Sequence, residues 1–144
     1  MGATFVAVVE RVLRPAVPRE SAVGRVDEIL ARFRGSDDAP ILDAKRGFFL
    51  LHAPGGIIAA QRRCTHLGCT TIEFEARTDQ LDCLCHSAFF DKRTAVVTAG
   101  PAPEPLSLFH VRAESGLLYV SVDARDLIRR RSNRWEATHL EVFD

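Results

Sequence analysis

The sequence predicts an all-β domain, an antiparallel sandwich or barrel-like arrangement of short strands. Two observations carry this expectation. From position 40 onward, short apolar runs are separated by Gly, Pro and polar turn residues, and two of these separations have hairpin composition. A third observation bounds the size: 144 residues suffice for one compact domain and are too few for two.

Residues 1–19 read as a lead-in. Ala3 to Val9 are almost wholly apolar, then Glu10, Arg11 and Arg14 interrupt before Pro15 and Pro18. The stretch is too short for a membrane span and lacks the basic start and cleavage site of a signal peptide. It is expected to be a small buried segment, an interfacial helix, or the trailing end of a membrane anchor. Within Val23 to Phe33, the residues Val26, Ile29, Leu30 and Phe33 recur at helical spacing, which predicts a short helix. Gly35 to Asp38 then read as a loop.

Gly47 to Ala53 and Ile57 to Gln61 are two apolar runs joined by Pro54, Gly55 and Gly56, a predicted hairpin. Thr71 to Ala76 alternates, with Ile72, Phe74 and Ala76 on one face and Glu73 and Glu75 on the other. A polar turn at Arg77 to Asp79 leads into Leu81 and Cys83. Leu106 to Ala113 and Gly116 to Val122 flank Glu114–Ser115–Gly116 as a second hairpin. The domain is thus expected over 20–124, followed by a basic tail over 125–144.

Apolar residues make up 47% and charged residues 26%, with formal net charge zero. That balance gives no electrostatic case for nucleic acid or an anionic membrane. Arg129, Arg130, Arg131 and Arg134 cluster locally. A solvated tail is the preferred reading, with a docking patch for an acidic partner as the alternative.

The chemistry is concentrated between positions 64 and 86. All four cysteines and two of the five histidines lie there, in two boxes: Cys64–Thr65–His66–Leu67–Gly68–Cys69 and Cys83–Leu84–Cys85–His86–Ser87. Each box offers one Cys, one His and a spare Cys. Two thiolates and two imidazoles make a four-ligand site for a soft-to-borderline metal. Structural zinc usually draws on Cys pairs and His pairs. The mixed pairs here, Cys-x-His and Cys-x-x-His, suit a two-iron cluster better, with both Cys on one iron and both His on the other. A zinc-stabilised binding module stays open as an alternative. His52, His110 and His139 have no partner motif and are expected to be structural.

The first box resembles, at every position, that of Rieske proteins of cytochrome bc-type quinol oxidoreductases. The second departs from the family pattern, with Leu84 in place of Pro, Ser87 in place of Gly and Ala88 in place of Ser. Gly100–Pro101–Ala102–Pro103 resembles the family's proline loop. The resemblance implies a Rieske-type antiparallel β-sandwich with a small cluster-binding subdomain at about 62–93, formed by two loops. It implies a 2Fe–2S cluster on Cys64, His66, Cys83 and His86, with a disulfide between Cys69 and Cys85. Ser87, Gly100 and Pro101 would surround that centre, and His86 would meet the quinol. Implied partners are a quinol, a cytochrome b-type membrane subunit, and a cytochrome c or other soluble acceptor. The chain would then be the iron–sulfur subunit of a quinol–cytochrome c reductase, not an enzyme alone. The small subunit of a molybdenum oxidoreductase such as arsenite oxidase is the alternative. A disulfide favours an oxidising compartment, so the cluster domain is expected to be membrane-associated, on the extracytoplasmic side. Family members of high potential carry Ser and Tyr hydroxyls where this chain has Ala88 and Phe90, which implies a lower potential here.

Overall fold

The computed structural model describes residues 19–138, which form eleven strands and one α-helix in three antiparallel sheets. The expectations for residues 1–18 and for His139 lie outside the described residues. The first sheet has the order β1 (Glu20–Arg25), β11 (Leu117–Ser121), β10 (Val111–Glu114). The second runs β2 (Ile41–Asp43), β3 (Phe48–Ala53), β4 (Gly56–Gln61), β9 (Leu108–Phe109). The third is a meander of β5 (Ile72–Glu75), β6 (Gln80–Cys83), β7 (Ala88–Asp91) and β8 (Val97–Ala99).

The second sheet is the middle layer, and the alternation of side chains along β3 and β4 shows why. Phe48, Leu50, Ile57 and Ala59 join Ile29 and Phe33 of helix α1 (Val26–Gly35) with Leu118 and Val120 of β11 in one core. Their neighbours Phe49, Leu51, Ile58 and Ala60 join Ile72, Leu81 and Phe90 of the third sheet in another. Both faces are therefore buried, and the strands read as nearly unbroken apolar runs. Each such Phe, Leu or Ile contributes about 1.5–3 kcal/mol by leaving water.

The predicted short helix forms and starts at Val26, the first of its periodic apolar residues, while Glu20 to Arg25 before it are strand. The partner of that strand is β11, with Glu20 opposite Ser121 and Arg25 opposite Leu117. So distant a pairing leaves no local signal. Asp27 and Glu28 in the first turn and Arg32 and Arg34 in the last complement the helix dipole. The Val26 N–H is satisfied by the carbonyl of Gly116 in the β10–β11 turn.

Both predicted hairpins form. Ala53 pairs with Gly56 around Pro54–Gly55, and Glu114 pairs with Leu117 around Ser115–Gly116. Ser115 and Gly116 have φ of 51° and 77°, the left-handed pair that a tight hairpin turn needs. The run Leu106 to Ala113, however, is not one strand. Leu108 and Phe109 pair with β4, whereas Val111 onward pairs with β11, and His110 is the crossing point. Strands β7 and β8, absent from the predicted runs, complete the third sheet.

The segment from 125 is not wholly a solvated tail. Ile128 exchanges backbone hydrogen bonds with Leu108, and Arg130 is buried, donating to the carbonyls of Thr94 and Leu106. Arg129, Arg131 and Arg134 are exposed. His52 is structural: its ring stacks on Phe33 and its Nδ1 lies 2.6 Å from Asp38.

Candidate metal centre

The first box is the loop that leaves β4. Its start is fixed by Gln61 donating to the Ser107 carbonyl and Arg62 N–H donating to that of Gly47. The loop closes on itself, with Cys64 N–H donating to Cys69 O and Gly68 N–H to Cys64 O, at 2.8 and 2.9 Å. Gly68 supplies the positive φ, 74°, that this turn requires. The second box is the β6–β7 connection, where Cys83 lies opposite Ala88 and Ser87 N–H donates to Cys83 O. Cys69 and Cys85 form a disulfide that ties the two loops together, with Cα atoms 6.6 Å apart.

The proline loop packs on the second box. Gly100 has φ 85°, and a Cβ there would lie 2.2 Å from the Ser87 carbonyl oxygen and 2.8 Å from Ala88 Cα. Only glycine permits so close an approach. Pro101 is exposed, while Ala102 is buried in the core shared with the cysteines. Thr65 donates from Oγ1 to the Glu104 carbonyl at 2.6 Å, joining the first box to the same loop.

The structure brings the four candidate ligands together as two pairs, Cys64 with Cys83 and His66 with His86. Cys64 and Cys83 are free and buried, part of the core between the middle and third sheets. Burial pushes the Cys64 thiol up; the His66 backbone N–H opposes this, the neighbouring Cys83 thiol adds to it, and the Leu67 N–H opposes it too. His66 and His86 meet edge to face, ring centroids 4.9 Å apart. His66 Nδ1 is buried with no hydrogen-bond partner, whereas His86 is exposed. The Cys83 sulfur also lies within 4.8 Å of the sulfurs of Cys69 and Cys85. Those two are spent in the disulfide and offer no thiolate, which leaves Cys64 and Cys83 as the free cysteines.

This donor set fits a two-iron centre: two enclosed sulfurs, two imidazoles in contact with each other, and a buried ring nitrogen with no hydrogen-bond partner. Leu67 and Leu84 flank the histidines and are 70% and 69% exposed, the most exposed large apolar side chains described. Ala88 and Phe90, which carry no hydroxyl, are fully buried. Ser87 is exposed and has φ 56°.

Other supports had no signature in the sequence. Arg62 donates from Nε to the Ile72 carbonyl at 2.7 Å and pairs with Glu73, clamping the start of the first loop to β5. Thr71 Oγ1 lies 3.1 and 3.3 Å from the two disulfide sulfurs. A backbone acceptor such as Ile72 or Glu104 is invisible to any reading of residue types.

The chain is similar to known proteins over most of its described length. The cytochrome b6-f complex iron-sulfur subunit of Chlorobaculum tepidum is 27% identical over 126 residues, covering 83% of this chain and 65% of that one. The subunit of the same name from Synechococcus sp. (strain RCC307) is 36% identical over 74 residues, covering 51% and 40% respectively. The chain thus spans about two thirds or less of the length of these relatives. Among solved structures, the cyanobacterial plasma membrane Rieske protein of Synechocystis PCC 6803 superposes with a TM-score of 0.51 at 22% identity, over 69% of this chain and 97% of that one. The family model described as the Rieske [2Fe-2S] domain matches residues 21–111, most of the chain and both boxes. On that match, the chain belongs to the Rieske [2Fe-2S] domain family.

Proposed function

We propose that this chain takes electrons one at a time from a quinol and passes them to a cytochrome c or similar carrier. In this reading the cluster is held by Cys64, His66, Cys83 and His86. Rieske-type electron transfer follows from the family; the donor, the acceptor and the ligand assignment are the proposal. When bound, a 2Fe–2S cluster supplies a one-electron couple, at higher potential with two imidazole ligands than with four thiolates. The observation that carries the reading is the pair of histidines at the tip of two loops joined by the Cys69–Cys85 disulfide, His86 facing solvent.

The residues divide the work. Cys64 and Cys83 sit within the core, shielded from water, and anchor the inner side of the site. His66 turns Nδ1 inward, which leaves Nε2 as the atom free to carry a proton. His86, exposed at the tip, is the residue placed to accept a hydrogen bond or a proton from a quinol hydroxyl. Leu67 and Leu84 present an apolar rim around it, suited to the hydrophobic quinol pocket of a cytochrome b-type membrane subunit. A disulfide near the surface suits an extracytoplasmic position. No helix among the described residues is long and apolar enough to cross a membrane.

The test is purification of the chain from its native source, followed by EPR of the dithionite-reduced protein and identification of what accompanies it. A paramagnetic two-iron signal with equimolar iron and sulfide, and a haem-bearing cytochrome b in the same complex, are expected. A zinc-loaded, EPR-silent protein refutes the cluster. A molybdopterin subunit in place of cytochrome b refutes the quinol route.

A further inference from the structure

The segment that carries the proline loop leaves the third sheet at β8 and returns to the core at Leu106. Its middle touches both boxes: Gly100 lies against the Ser87 carbonyl, and the Glu104 carbonyl accepts from Thr65. Its two ends are held by the part of the chain that follows Ile128. Arg130 Nη1 donates to the carbonyl of Thr94 at 2.7 Å and to that of Leu106 at 3.3 Å, so one nitrogen spans the start and the end of the segment. Beside it the Leu106 N–H donates to the Ala95 carbonyl at 3.1 Å and closes the same neck.

Asn133 holds the segment a second time. β8 is an edge strand of the third sheet, with β7 on one side only. The Asn133 side-chain amide stands at the other side: the Val97 N–H donates to Oδ1 at 2.7 Å, and Nδ2 donates to the Val97 carbonyl at 2.9 Å. This is the pair of bonds that a further strand would make, and it covers an otherwise open edge. Ile128 joins through its backbone pairing with Leu108, and Trp135 packs against the core that contains Cys64 and Cys83. Burying a guanidinium carries a desolvation cost, and Arg130 is only 4% exposed. Its Nε and Nη2 have no hydrogen-bond partner, so the two carbonyls are all that its hydrogen bonds hold. An apolar side chain would cover the core as well, but only a long donor reaches both carbonyls.

We propose that residues 128–135 form a brace in which Arg130 and Asn133 are positioning residues: they fix the proline loop and, through it, the two loops that hold the cluster. The inference rests on the reading that the two boxes hold a cluster. Neither residue belongs to the boxes. Their hold is passed on by Gly100 against Ser87 and by Glu104 to Thr65, and the Gly100 approach is backbone to backbone, which leaves no room for slip. The brace lies beyond residues 21–111, so it is a feature of this chain that the family match does not describe.

The experiment uses the cluster-loaded chain and three variants. Asn133→Ala removes the two bonds to Val97, and Arg130→Met removes the buried hold while keeping an apolar stem. Leu50→Ala, in the opposite core, controls for lost stability alone. Iron release to a chelator is followed by the loss of visible absorbance. Release about tenfold faster than in the parent is expected in Asn133→Ala and Arg130→Met, the factor that 1.4 kcal/mol makes. Their visible circular dichroism should change, and Leu50→Ala should keep the parent spectrum. Hydrogen exchange at the Leu106 and Ser87 amides reports the brace without reference to the metal and should quicken in the same two variants. If Arg130→Met does not fold, Asn133→Ala decides alone, since Asn133 is exposed. Parent-like release, spectrum and exchange in Asn133→Ala would overturn the proposal. So would brace variants that lose stability yet release iron no faster than Leu50→Ala. A parent chain purified without iron and sulfide would instead refute the cluster reading, and the amide exchange would still decide the brace.

Discussion

Replacing Gly100 by alanine tests whether the proline loop and the second box are one packed unit. Two costs are expected. Alanine at φ 85° is strained by about 1–2 kcal/mol. The added methyl also lands 2.2 Å from the Ser87 carbonyl oxygen and 2.8 Å from Ala88 Cα, both backbone atoms that cannot rotate aside. Overpacking of that kind costs about 1–3 kcal/mol more. Gly47→Ala is the control, since Gly47 has φ 75° and a methyl group added there would meet nothing within 4 Å, so it carries the strain without the clash. Urea unfolding of the two variants should therefore show Gly100→Ala the less stable by about 1–3 kcal/mol, or a Tm lower by roughly 2–10 °C. The visible circular dichroism of the cluster should change only in Gly100→Ala, because Ser87 ends the second box and Ala88 follows it. Equal losses in the two variants, with identical spectra, would refute the packing argument.

Installing the two missing hydroxyls, Ala88→Ser with Phe90→Tyr, should raise the reduction potential measured by protein-film voltammetry. One hydrogen bond of about 1 kcal/mol corresponds to roughly 40 mV for a one-electron couple; an unchanged potential would show that these positions do not tune it. Removing the disulfide with Cys69→Ser and Cys85→Ser opens a loop of sequence separation 16 and should cost about 3 kcal/mol in urea unfolding, with added reductant affecting only the parent chain. The Asp123 carboxyl is held down at about 2, chiefly by the side-chain hydrogen bonds from Arg125, so its folded pKa lies below its unfolded one. Its contribution is then present above about pH 4 and lost as pH falls toward 2; the stability gap between the parent and Asp123→Asn should close over that window, and a gap independent of pH would contradict the pairing.

The parts of this fold that were legible in the sequence are those specified by neighbours along the chain. The β3–β4 hairpin declares itself through Pro54 and Gly55, and β10–β11 through Ser115 and Gly116. The two boxes stand out because cysteine and histidine are scarce elsewhere. What stayed hidden depends on distant partners. Strand β1 forms because β11 offers it an edge, and Val23 alone fits a helical period as well as a strand. The break at His110 reflects two sheets meeting, and nothing in the residue types of Leu106 to Ala113 marks it. Arg130 looked like one of four solvated arginines, and only the packing of the chain after Ile128 reveals it as buried.

The middle sheet gives the molecule a simple addressing rule. Along β3, even-numbered Phe48 and Leu50 face helix α1, while odd-numbered Phe49 and Leu51 face the layer that carries the second box; along β4, Ile57 and Ala59 against Ile58 and Ala60 repeat the division. Moving a truncation by one residue therefore changes which half of the protein loosens. Leu51→Ala should speed hydrogen exchange at the amides of β6 and β7 and spare those of β11, and Leu50→Ala should do the reverse. Neighbouring positions on one strand thus act as separate handles, one on the scaffold and one on the redox layer.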